Sequence, residues 1–197
     1  MTITGKLAGR TCSAIVIGAS AGGIKALLFL LAALPKNFSV PIIIIVHMPE
    51  KRGANLAEVF QHHLLIKVMM AEDKDYIQRG RIYFASAGYH LLIERNRSFA
   101  LSCEDPVHYS RPSIDILMSS AADAFGTSLM GILLTGANQD GAEGMLDIHR
   151  MGGVTVVQNP QDADAATMPQ SALNLFTPDF VLSLPEIQQL IANVEMC

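Results

Sequence analysis

Six consecutive apolar residues, Pro41-Ile-Ile-Ile-Ile-Val46, leave a strand there with no polar face to turn toward water. Such a strand has to be covered on both sides, which is the situation of a central strand in a parallel sheet. Similar runs recur at 13–17, 67–70, 129–134, 154–157 and, more weakly, 180–182. Between them lie stretches with helical spacing, at 23–34, 54–62, 113–125, 142–151, 169–175 and 185–194. Short buried strands alternating with helices specify crossover units, and so an α/β fold with a mostly parallel, doubly wound sheet flanked by helices. The middle breaks this rhythm. Residues 81–85, 90–94 and 99–102 are separated by Ser86-Ala-Gly88 and Asn96-Arg, and read as strands of a small antiparallel hairpin insertion.

The first strand candidate runs into Gly18-Ala-Ser20-Ala-Gly22, with a helical pattern starting at once. This is G-x-S-x-G between strand and helix, where a sharp turn lifts a serine hydroxyl above the sheet edge. Taken alone, the segment also suits an ordinary glycine-rich turn or a phosphate cradle. The dinucleotide fingerprint fails because Ser20 holds the second glycine position, and no Gly-Lys-Ser/Thr follows to make a Walker loop. Ligands of open α/β sheets bind beyond the carboxyl ends of the strands, so other reactive groups at that edge decide the matter. His47 directly follows the isoleucine run, and Asp140 lies just past the 129–134 strand in Thr135-Gly-Ala-Asn-Gln-Asp-Gly141. Serine, histidine and aspartate on one edge supply nucleophile, general base and the acid that orients the base. A capping or core role suits His47 as well, and Asp140 could cap the next helix with Glu143 completing a capping box. The chain order Ser, His, Asp differs from that of the α/β-hydrolases.

Several classes drop out. Half the residues are hydrophobic and 16% are charged, which excludes a disordered chain. A net charge of −4 without Lys/Arg clusters gives no footprint for nucleic acid. No apolar stretch approaches the ~18 residues of a membrane span, and no signal peptide is evident. Cys12, Cys103 and Cys197 are odd in number and far apart, as expected of reduced thiols in a cytoplasm. No spacing resembles a metal site. His62, His63 and His149 read as solvated helix residues and His90 as a hairpin residue, whereas His108 sits in a loop with access to substrate.

Four ordered segments carry a resemblance. They are Ile17-Gly-Ala-Ser-Ala-Gly-Gly23, Val46-His-Met-Pro49, Ser110-Arg-Pro-Ser-Ile-Asp115 and Leu134-Thr-Gly-Ala-Asn-Gln-Asp-Gly141, supported by Ala71-Glu-Asp73, Val157-Gln-Asn159 and Met168-Pro169. Together they resemble the catalytic domain of the bacterial chemotaxis protein-glutamate methylesterases of CheB type, over residues 15–184. The resemblance implies a triad of Ser20, His47 and Asp140, the same three that the strand-end argument selects. Where the family usually reads Thr-Gly-Met-Gly-x-Asp-Gly, this chain has Ala137 and Asn138; its Met-Pro-Arg becomes Met168-Pro169-Gln170, and its Ala-Pro-Gly turn becomes Ala85-Ser-Ala-Gly88.

The implied activity is a serine esterase for glutamyl methyl esters, with glutamine deamidation as a companion reaction and no cofactor. Ala21 and Ala137 N–H groups are the oxyanion candidates, Arg111 and Met168 the substrate-contact candidates. The implied partner is the cytoplasmic helices of a methylated chemoreceptor, and a separate regulatory protein stays open as a second. Two rivals stand beside this reading: a related esterase acting on a protein outside chemotaxis, and a weakly active domain kept as a binding module. Residues 1–12 read as a lead-in and 13–197 as the catalytic domain. A receiver domain needs roughly 120 residues, so the expectation is a stand-alone catalytic domain, open without phosphorylation.

Overall fold

The computed structural model describes residues 10–48 and 56–194. Pro49, the start of the helix expected at 54–62, Cys197 and most of the 1–12 lead-in lie outside them. Seven strands form one parallel sheet: β1 (Ala14–Ala19), β2 (Ile42–Val46), β3 (Lys67–Met70), β4 (Arg81–Phe84), β7 (Leu129–Leu133), β8 (Val154–Gln158) and β9 (Phe180–Leu182). Their order is β3-β4-β2-β1-β7-β8-β9, and β5 (His90–Ile93) pairs with β6 (Phe99–Ser102) in a separate antiparallel ribbon.

The isoleucine run behaves as its composition demands. Side chains alternate across a strand, so Ile42 and Ile44 join Ile15 and Ile17 on one face, while Ile43 and Ile45 join Ala14 and Val16 on the other. Helices α1 (Gly23–Ala32), α2 (Leu56–Gln61) and α6 (Leu184–Asn193) cover the first face through Leu27, Phe60 and Ile187. Helices α3 (Ile114–Phe125), α4 (Ala142–Arg150) and α5 (Thr167–Leu175) cover the second through Leu117, Met145 and Ala172. Each buried Leu, Ile or Phe contributes roughly 1.5–3 kcal/mol relative to exposure, so both faces of the central strands are strongly fixed. Among the described residues no helix is long and apolar enough to cross a membrane.

One strand differs from the sequence reading. The 81–85 segment is not part of the hairpin; Arg81–Phe84 is a parallel strand of the main sheet, with Ile82 opposite both Ile42 and Val68. The usual cue was missing, because the 71–80 connection that leads into it contains no helix. The ribbon β5–β6 does form as expected and packs Leu91, Ile93 and Phe99 into the second core, with Phe99 edge-on to Tyr83 at 4.9 Å.

The chain winds outward in opposite directions from β1 and β7. From β1 it passes through α1 to β2, and from β7 through α4 to β8. A crevice therefore opens between the carboxyl ends of these two strands, the usual ligand position of such a sheet.

Candidate active site

Strand register brings the three expected residues abreast. Ala19 lies opposite Val46 and Gly18 opposite Leu133, so the residues that follow leave the sheet side by side. The His47 N–H donates to Ala19 O at 3.0 Å and the Ser20 N–H to Thr135 O at 2.9 Å, extending both pairings past the strand ends. Thr135 Oγ1 then donates to Ala21 O and accepts from the Ala165 N–H, both at 2.8 Å, tying the serine turn to the loop before α5.

Ser20 itself turns tightly, its carbonyl accepting from Gly23 N–H at 2.8 Å. Gly22 has φ 80, and an added Cβ would stand 2.7 Å from Asp164 Cβ, so only glycine fits there. Gly18 answers a different need: a side chain would collide with Ile114 Cγ2 on α3. Ser20 and His47 line one shallow depression of 680 Å³ with Lys25 and Leu28. His47 also borders a second, of 190 Å³, with Tyr109, Ser110 and Arg111. No hydrogen bond joins Ser20 Oγ to the imidazole in this state.

Behind the histidine lies Asp140, fully buried. His47 Nε2 approaches Oδ2 to 2.9 Å, with the N–H off the direct line, so the contact is close without being an aligned hydrogen bond. The carboxylate also accepts from Ser113 Oγ–H (2.8 Å), Ile114 N–H (2.8 Å) and Asp115 N–H (3.0 Å). Burial alone would raise its pKa. The His47 ring, the Asp115 and Ile114 N–H groups and the positive charge His47 can carry outweigh burial and hold it below the usual carboxylate range.

The helix that Asp140 caps is α3, the one beginning at Ile114, and not its own. The capping box expected with Glu143 is not formed: the N-cap of α4 is Gly141, and no side chain caps it from that position. Asp115 Oδ1 instead accepts from Gly141 N–H at 2.9 Å and Gly144 N–H at 2.8 Å. Each aspartate thus caps the other's helix, an exchange that spacing along the chain could not reveal.

Burial, and then the Asp140 charge beside it, push the Asp115 carboxyl up to about 6 against the pull of the Gly144 and Gly141 N–H groups. Its folded pKa lies above the unfolded value near 3.9, so its contribution is fully present below that value and is lost as pH rises through about 6. Asn at 115 keeps an acceptor for both N–H groups and has no charge to bury. Thermal melts of Asp115→Asn and wild type should therefore diverge in the variant's favour by a few degrees between pH 4 and 7; a difference that is flat or moves the other way refutes the raised carboxyl.

The remaining expected residues scatter. Ala21 and Ala137 are exposed, and neither N–H has an acceptor among the described residues. Arg111 borders the histidine, but its guanidinium donates to Cys103 O (3.0 Å) and Glu104 O (3.1 Å), which fixes the loop after β6. Met168 is wholly buried, packed against the place where a Gly136 side chain would be, and lines neither depression. His108 lies 3.5 Å from Asp115 Oδ2 and takes a 3.3 Å contact from Gln139. His90, read as a hairpin residue, is fully buried; its Nδ1 accepts the Ser113 N–H at 3.1 Å and so holds the start of α3. Two participants escaped sequence reasoning in these roles, Ser113 and Asn138. The amide of Asn138 lies 3.4 Å from His47 Nδ1, and its Oδ1 accepts the Asp140 N–H at 3.3 Å.

A Leptospira interrogans protein with the provisional name protein-glutamate methylesterase/protein-glutamine glutaminase is 42% identical over 182 residues, covering 92% of this chain and 94% of that protein. A Clostridium acetobutylicum protein-glutamate methylesterase/protein-glutamine glutaminase is 30% identical over 97% of this chain, which spans 55% of that protein's length. The Thermotoga maritima CheB methylesterase catalytic domain superposes with a TM-score of 0.88 at 28% identity, over 95% of this chain and all of that one. The family model for CheB methylesterase matches residues 15–191, and the chain belongs to that family.

Proposed function

We propose that this chain is a protein-glutamate methylesterase that also deamidates glutamine, acting in the cytoplasm on the helices of methylated chemoreceptors. One observation carries the reading. His47 stands between a depression shared with Ser20 and a buried carboxylate that can only accept hydrogen bonds.

Because Asp140 faces Nε2, that nitrogen carries the hydrogen and Nδ1 offers its lone pair. The two ring nitrogens exchange the roles they have in the chymotrypsin-type triad, where Nδ1 faces the acid. His47 Nδ1 takes the Ser20 proton as Oγ attacks the ester carbonyl of a methylated glutamate. The developing oxyanion is met by the N–H groups of Ala21 and Ala137, which have no acceptor among the described residues. His47 returns the proton to the methoxy oxygen, the C–O bond breaks and methanol leaves. Water then adds to the glutamyl-serine ester, again giving its proton to His47, and glutamate is released as Ser20 regains its hydrogen. With glutamine, ammonia takes the place of methanol.

Purified chain mixed with methylated receptor should release methanol, and it should do so with a rate that depends on Ser20. Absence of release from receptor, with intact folding, sends the activity to another substrate.

A further inference from the structure

The Asn138 amide lies 3.4 Å from His47 Nδ1, the ring nitrogen that acts as base in the proposed mechanism. Asp140 occupies the Nε2 side of His47, so Nδ1 is the only position from which the ring can act as a base. In this state the neighbour of Nδ1 is the Asn138 amide at 3.4 Å, while Ser20 Oγ makes no hydrogen bond to the ring. The amide's orientation is not arbitrary. Its Oδ1 accepts the Asp140 N–H at 3.3 Å, which leaves the NH₂ group pointing to the ring, and a protonated Nδ1 would meet it donor to donor.

Resting on the reading of Ser20 as nucleophile and His47 as base, we infer that Asn138 is a positioning residue that caps the base. It selects the Nε2–H tautomer in the resting state and must give up Nδ1 before Ser20 can donate to it. Asn138 thereby slows attack by Ser20, since its amide N–H and the Ser20 hydroxyl compete for the same lone pair. Asp140 faces the ring from the far side, and Lys25 and Arg111 line the depressions on either side of it; none of these is altered by substitution at 138.

Asn138→Ser tests this cleanly. A serine hydroxyl can still accept the N–H two residues on, preserving the local turn, but is too short to reach the imidazole. Labelling of Ser20 by a fluorophosphonate should run about three- to tenfold faster than in wild type, the range expected for releasing one hydrogen bond. The gain should appear in the limiting labelling rate at saturating probe and not in the apparent affinity for the probe, a split that a merely structural role would not produce. Asn138→Gly serves as the second variant should the serine chain melt early. A limiting rate equal to or below wild type, or a gain confined to apparent affinity, overturns the cap. Wild type that fails to label at Ser20 instead removes the nucleophile reading, and the cap falls with it.

Discussion

Ser20→Ala is expected to lower methanol release by a factor on the order of 10⁶, the scale seen when a serine hydrolase loses its nucleophile. The fold should be untouched. The turn around residue 20 is held by backbone bonds, from Ser20 N–H to Thr135 O and from Gly23 N–H to Ser20 O, and neither involves the hydroxyl. Surface changes of this kind stay within about 0.5 kcal/mol. Turnover and melting temperature measured on one preparation decide the matter. A variant that melts with wild type and retains substantial turnover shows that the hydroxyl is not the attacking group.

Asp140→Asn is expected to lose roughly 10⁴-fold in turnover, because an amide does not hold His47 in the required tautomer. Stability should fall as well. Ser113 Oγ–H, Ile114 N–H and Asp115 N–H all donate to this carboxylate, and His47 Nε2 lies 2.9 Å from it. An amide has one oxygen, so at least one buried donor meets an NH₂ group, a loss of about 1–3 kcal/mol. The carboxyl's pKa is lowered in the folded protein. Its contribution is therefore present above the unfolded value near 3.9 and is lost as pH falls through the lower folded one. The gap in melting temperature should accordingly narrow in acid. A variant that melts early but turns over normally makes Asp140 a structural residue alone.

The central strands were legible because nothing else can be done with a run such as Ile42–Val46. Ser20, His47 and Asp140 were legible because each immediately follows, or lies a few residues beyond, such a run, and strand ends converge. The position of Arg81–Phe84 was not, since a parallel strand entered without a crossover helix looks locally like a hairpin strand next to Gly80. Nor was the exchange of caps between Asp115 and Asp140, which are 25 residues apart and meet only because α3 and α4 start together. Met168 has a packing role that its motif does not reveal: its methyl and sulfur fill the space above Gly136.

Asp140 is joined to the architecture as well as to His47, and this bears on how related chains lose function over time. A descendant released from selection for hydrolysis can shed the Ser20 hydroxyl at almost no penalty to folding, but loss of the carboxylate strips the start of α3 of three donors' acceptor. Decay should therefore reach the serine first and leave the aspartate standing. In a gene survey, an aspartate at this position testifies to the fold, and under the proposed mechanism only the serine and histidine testify to the chemistry.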